Sequence, residues 1–238
     1  MTGRPEQPLI NHFFELRKAA LKAVICIFLI TLILFPFANQ IYNFIAIPLI
    51  EKLPEGSNMI ATEVASPFFA PFKLTLCCAI FLSFPYILYQ AWSFIAPGLY
   101  INEKKLILPL LISSSFLFYL GVLFAYFIVF PILFSFLTAT APDGIKIMTD
   151  INHYLNFILK LFFAFGISFE IPIATILLIR TNFISAEKLS SNRPYVIFFA
   201  FLIGMLLTPP DVISQILLAI PVWLLFEAGL IISKYFKI

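Results

Sequence analysis

Charge is scarce in this 238-residue chain: Asp, Glu, Lys and Arg together make up 11%, against about a quarter in a water-soluble domain. Such a composition cannot cover the surface of a globule in water, which excludes an ordinary soluble enzyme. Hydrophobic residues reach 62%, which excludes disorder. There are two histidines, His12 and His153, and three cysteines, Cys26, Cys77 and Cys78. The cysteines fall inside apolar runs without CxxC spacing, so they read as small buried hydrophobes, and a zinc site has too few ligands. No HExxH, GxSxG or phosphate-loop motif occurs, so neither an intramembrane hydrolase nor direct use of ATP is expected. A net charge of +3 gives no basis for bulk nucleic-acid binding. The expectation is a protein that is not an enzyme and holds no cofactor and no metal.

Long apolar runs are plentiful instead. Mean hydropathy is +1.04, and six runs approach the roughly 20 residues a helix needs to cross a bilayer. They lie at roughly 20–38, 67–95, 106–137, 152–180, 194–208 and 212–233, within the few-residue error of such boundaries. They are too long and too uniformly apolar for the alternating strands of a membrane barrel. The fold class is therefore all-α integral membrane: one domain, 1–238, of six transmembrane helices with a short fifth and sixth. The fifth, between Arg193-Pro194 and Pro209-Pro210, measures only about 22 Å as helix, less than a hydrocarbon core of about 30 Å. Pro71, Pro85, Pro131, Pro172 and Pro221 fall inside spans, where neighbours can satisfy the carbonyls that proline frees. The first run begins too late for a cleaved signal peptide and reads as a retained span.

Basic residues set the orientation. Arg4, Arg17, Lys18, Lys22, Lys104, Lys105, Arg180, Lys188, Arg193, Lys234 and Lys237 fall on one side, Lys52 and Lys146 on the other, and Lys73 and Lys160 within spans. The positive-inside rule then places both termini in the cytoplasm. The segments 39–66 and 138–151, rich in turn residues, read as the two long outer loops.

Few acids have a place in such a scaffold. Glu15 and Glu103 lie beside Arg17-Lys18 and Lys104-Lys105. On their surroundings alone they are interfacial carboxylates in local ion pairs worth about 0–1 kcal/mol. Glu170 falls about 15 Å inside span four, where ionisation is costly. It either meets a wet cavity or a cation, or stays neutral and hydrogen-bonded to a carbonyl, such as one that Pro172 frees. Lys160 reads as a snorkelling side chain, about 15 Å from Glu170 along the same helix. Asp211 reads as a cap for span six. Thr208 and Gln215 can hydrogen-bond across helices, and Glu227 can reach the interface.

The hydrophilic connections carry a resemblance. His12-Phe13-Phe14-Glu15-Leu16-Arg17-Lys18, Ala65-Ser66-Pro67-Phe68, Phe94-Ile95-Ala96-Pro97-Gly98-Leu99-Tyr100 with Glu103-Lys104-Lys105, Phe169-Glu170-Ile171-Pro172, and Leu207-Thr208-Pro209-Pro210-Asp211-Val212-Ile213-Ser214-Gln215 follow one another in the order and spacing of the TatC family. The chain thus resembles the multi-spanning core subunit of the twin-arginine protein translocase. The resemblance implies a six-helix fold in the bacterial inner membrane with both ends inside. It implies recognition of twin-arginine signal peptides and export of folded proteins driven by the proton-motive force. It further implies that Glu15, Arg17, Pro48, Phe94, Pro97, Leu99, Tyr100 and Glu103 belong to the signal-peptide site. Glu170 would lie on a concave face of the bundle. Met205, Thr208 and Gln215 would contact the single membrane helix of TatA or TatB, beside Asp211. A homo-oligomer within the complex is expected as well.

Carboxylates suit such a ligand, because they accept from a planar guanidinium in a two-pronged fashion that a lysine cannot match. Six helices in a ring enclose only about 10 Å, whereas a folded 100-residue cargo exceeds about 30 Å across. The chain alone cannot be the pore, so recruited subunits or a weakened membrane are needed. A proton-coupled small-molecule transporter is the alternative. It would ordinarily show repeated halves, and no repeat is visible here.

Overall fold

The computed structural model describes residues 9–51, 59–95, 107–140, 148–181, 183–207 and 212–235. Helix α1 (Leu9–Leu34) runs through a single tight turn, Phe35–Phe37, into α2 (Ala38–Ile50). Strand β1 (Met59–Ile60) precedes α3 (Ser66–Ile95). The next rod comprises α4 (Ile107–Phe124), a π-helical turn at Ala125–Val129 and α5 (Phe130–Ala139). Strand β2 (Thr149–Asp150) leads into α6 (Ile151–Ser168) and α7 (Ile171–Arg180). A short α8 (Ala186–Ser191), then α9 (Arg193–Leu207) and α10 (Val212–Tyr235), complete the order. The rods alternate in direction, so α1 begins and α10 ends at one end of the bundle, the terminal end, while β1 and β2 lie at the other, the clasp end.

Five of these rods are long and apolar enough to cross a membrane, and α9, at 15 residues, is the short apolar one. The sixth span is not short: α10 has 24 residues, about 36 Å, because its helix continues through Pro221 to Tyr235. The first rod also departs from expectation. Residues 39–66 are not all loop, since α2 extends the first helix to Ile50.

Tyrosines explain how two of the prolines are tolerated. Pro48 has no N–H for the Phe44 carbonyl, and the Tyr126 hydroxyl donates to that oxygen at 2.8 Å. Pro85 likewise leaves the Phe81 carbonyl open, and the Tyr119 hydroxyl donates to it at 3.1 Å. Tyr154 adds a bond to the Ile45 carbonyl at 2.8 Å, so α2 is fastened to two other rods. At Pro131 the device differs. The π-helical turn just ahead of it absorbs the residue whose carbonyl would clash with the ring.

Aromatic packing fills the interior, as 30 phenylalanines would suggest. Phe118, Phe130 and Phe165 are fully buried. Phe84 stacks on Phe118 with centroids 3.6 Å apart, and Phe81 meets Phe118, Phe162 and Phe163 edge-on. The large apolar side chains left exposed, such as Phe28, Ile33, Phe116 and Phe127, form an outer surface suited to lipid rather than water.

At the clasp end two loops join. Strands β1 and β2 pair in parallel, Met59 with Thr149 and Ile60 with Asp150. Asp150 caps α6 by accepting from the Asn152 and His153 amides at 2.8 and 3.0 Å. It also accepts from the Thr62 amide at 3.0 Å and the Thr62 hydroxyl at 2.6 Å. Asn152 donates to Ser66 at 2.6 Å. These bonds to the charged form, the Thr62 hydroxyl foremost, hold the Asp150 carboxyl down at a pKa of about 2. A depressed folded-state pKa contributes stability that is complete above the unfolded value and is lost as pH falls toward the folded one. Asp150→Asn is therefore expected to lower the thermal unfolding midpoint at pH 7. The gap to the native chain should narrow progressively between about pH 4 and pH 2, followed by tryptophan fluorescence in detergent.

Candidate functional site

The terminal end gathers the first group of singled-out residues. Helices α1 and α3 are antiparallel, and Cys26 Sγ lies 3.9 Å from Ser83 Oγ. Eleven residues from that contact along each helix, Glu15 on α1 comes level with Phe94 on α3. Glu15 and Arg17 are exposed there and Phe94 is half-buried. Pro97, Leu99, Tyr100 and Glu103 lie outside the described residues, in the connection that leaves α3 directly after Ile95.

Pro48 does not join them. It is buried in α2 at the clasp end, a whole helix length from Glu15, where it packs beside Ile45 and Leu49. What the structure shows for this residue is that it shapes α2, whose freed carbonyl Tyr126 satisfies.

Glu170 stands where the fourth rod breaks. Helix α6 ends at Ser168, and α7 restarts at Ile171 with Pro172 in its first turn. Ser114 of α4 is the polar side chain beside the Glu170 carboxyl, while Oε1 is buried without a described hydrogen-bond partner. The neighbouring polar group is thus a hydroxyl on another helix, and no cation pairs with Glu170 among the described residues. Serine 114 sits in an apolar stretch with Ser113 and Ser115, a local polarity that could have pointed to a facing acid.

Around the α9–α10 hairpin, Met205 is about half exposed and Gln215 is partly buried. Gly204 faces Gln215, where an added Cβ would lie 3.5 Å from the Gln215 Cα, so the two helices meet closely just below the tip. Thr208 and Asp211 lie outside the described residues. Glu227 has a definite role rather than a loose reach to the interface: Arg193 Nε and Nη2 grip its two carboxylate oxygens at 2.5 and 2.9 Å. This fork ties the first residue of the short α9 to α10. Because the arginine side chain is 44% exposed, a double-mutant cycle on Arg193→Ala and Glu227→Ala should give a coupling of about 1 kcal/mol. Arg193→Lys should recover little of it, for want of the planar fork.

An α-helical bundle with five rods long and apolar enough to cross a membrane and an exterior suited to lipid defines a class: a multi-pass membrane protein. The family model described as Sec-independent protein translocase protein (TatC) matches residues 11–221. The chain belongs to the TatC family. It is 57% identical to the TatC of Haemophilus influenzae over 97% of this chain and 90% of that one. It is 55% identical to the TatC of Escherichia coli K12 over 99% and 92%. The crystal structure of the twin-arginine translocase receptor TatC superposes with a TM-score of 0.84 at 38% identity, covering 95% of this chain and all of that one. The chain is accordingly a multi-pass membrane subunit of the Sec-independent protein translocase, a transport component and not an enzyme. A small-molecule transporter is not favoured.

Proposed function

We propose that this chain is the signal-peptide receptor of a bacterial inner-membrane Tat system. Its terminal end faces the cytoplasm, and Glu15 and Glu103 accept the paired guanidinium groups of a twin-arginine signal peptide. The observation that carries this is the register of α1 against α3, which sets Glu15 level with Phe94, from which the chain runs on toward Pro97, Leu99, Tyr100 and Glu103. Arg17 flanks the same surface and helps balance its charge. The aromatic side chains there suit the apolar part of a signal peptide.

The hairpin supplies the second surface. Thr208, Asp211 and Gln215, with Glu170 farther into the bundle, offer polar contacts to the single membrane helix of TatA or TatB, each worth about 1 kcal/mol or less, and the exposed Met205 adds an apolar one. The chain thereby brings these partners, and further copies of itself, to a bound cargo, and export of the folded cargo draws on the proton-motive force.

Site-specific photo-crosslinking in membranes tests both surfaces at once. A crosslinker at Glu103 should capture a twin-arginine precursor, and one at Gln215 should capture TatB. Capture of the precursor only from Gln215, with none from Glu103, would contradict the assignment.

A further inference from the structure

Two lysines within the spans stand outside both surfaces. Lys73 on α3 donates to the Asn156 side-chain carbonyl on α6, and Lys160 follows Asn156 by four residues, one turn further on the same face. All three are exposed and line one cavity of about 780 Å³. The cavity lies between α3, α6 and the α9–α10 hairpin, and no carboxylate lines it among the described residues. Apart from Ser168 the remaining wall is apolar, with Leu159, Phe163, Ile203 and Leu218 prominent.

Depth makes this arrangement informative. The Asn152–Ser66 bond sets the starts of α3 and α6 level. Lys73 then lies about 10 Å and Lys160 about 14 Å below the clasp end, deeper than ordinary headgroups reach. The facing helix α9, however, has only 15 residues, about 22 Å against a hydrocarbon core of about 30 Å, and its last residue, Leu207, lines the same cavity. A short helix lets the nearby leaflet dip, which brings a headgroup down to the depth of the two ammonium groups.

We propose that this cavity is a site for one anionic phospholipid of the clasp-end leaflet. Lys73 and Lys160 hold its phosphate, Asn156 positions Lys73, and an acyl chain lies along the apolar wall. A lipid suits the cavity better than a free anion, because most of the lining is hydrocarbon.

Native mass spectrometry of the full chain, delipidated in detergent, tests the site by titration with phosphatidylglycerol and with phosphatidylcholine of identical acyl chains. One tightly held phosphatidylglycerol is expected, favoured about tenfold over phosphatidylcholine. Lys73→Gln with Lys160→Gln should abolish the preference, and Lys160→Arg should keep it. Thermal unfolding is followed in parallel; Lys160→Gln alone, which removes none of the described hydrogen bonds, decides the matter where the double variant misfolds. Equal binding of the two lipids, or a preference unchanged by these variants, would overturn the proposal. So would displacement of the lipid by millimolar inorganic phosphate, or by a carboxylate-bearing single-helix peptide, which would reassign the cavity to a free anion or to a protein helix.

Discussion

Replacing Glu15 and Glu103 together with glutamine is expected to weaken binding of a twin-arginine signal peptide about a hundredfold or more. Each carboxylate that accepts from a guanidinium makes a charge-assisted hydrogen bond, and such bonds contribute about 1.5–3 kcal/mol each. Glu15 is exposed, so the lower end of that range applies, and two such losses still exceed two decades of affinity. Glutamine keeps the size and one acceptor oxygen, so the effect isolates the charge. A peptide with two lysines in place of the arginines should bind weakly to the native chain and change much less on going to the double variant. Titration calorimetry or fluorescence anisotropy with both peptides reads the difference; equal losses for the two would point to general electrostatic attraction instead of a fork.

The second large effect concerns stability. Gly121 on α4 lies against α6, where an added Cβ would come within 2.6 Å of the Phe165 carbonyl oxygen and 2.9 Å of the Phe169 ring. The first of these atoms is backbone and cannot swing aside. Relief requires α4 and α6 to separate, which opens the packing of Phe118 and Phe165, both fully buried. Gly121→Val is therefore expected to cost about 2–3 kcal/mol, as overpacked cores do. Gly121→Ala should cost less, because the better helix propensity of alanine offsets up to about 1 kcal/mol. Thermal unfolding in detergent distinguishes them, and a neutral Gly121→Val would show that the two helices do not touch there.

Much of the scaffold was legible because a bilayer imposes its own length on apolar runs. The rods containing α3, α6 and α9 begin and end within a few residues of the expected spans, and the shortness of α9 followed from its bracketing prolines. Helix α2 was not legible. The whole segment 39–66 read as an outer loop, and what keeps its first part helical is remote: hydroxyls of Tyr126 and Tyr154, 82 and 109 residues away, on the carbonyls near the proline. The clasp was missed for a similar reason, although Asp150 directly ahead of an apolar run carries a helix-start signature. Only its second partner, Thr62, depends on tertiary structure. Pro48 was grouped with the terminal-end site through family resemblance, and the position of α2 in the fold is what separates them. No pattern in the sequence alone pairs Arg193 with Glu227, which are 34 residues apart on different helices.

The sidedness of the two acids tests the central claim most directly. In a chain whose Cys26, Cys77 and Cys78 are replaced by alanine, single cysteines are placed by Glu15→Cys, Glu103→Cys and Thr62→Cys. Intact cells are then treated with a membrane-impermeant maleimide. Labelling is predicted at position 62 alone, with positions 15 and 103 reacting only after the membrane is opened. Labelling of position 15 or 103 in intact cells would place that acid on the wrong face to meet a signal peptide before export, and would contradict the receptor assignment of this end.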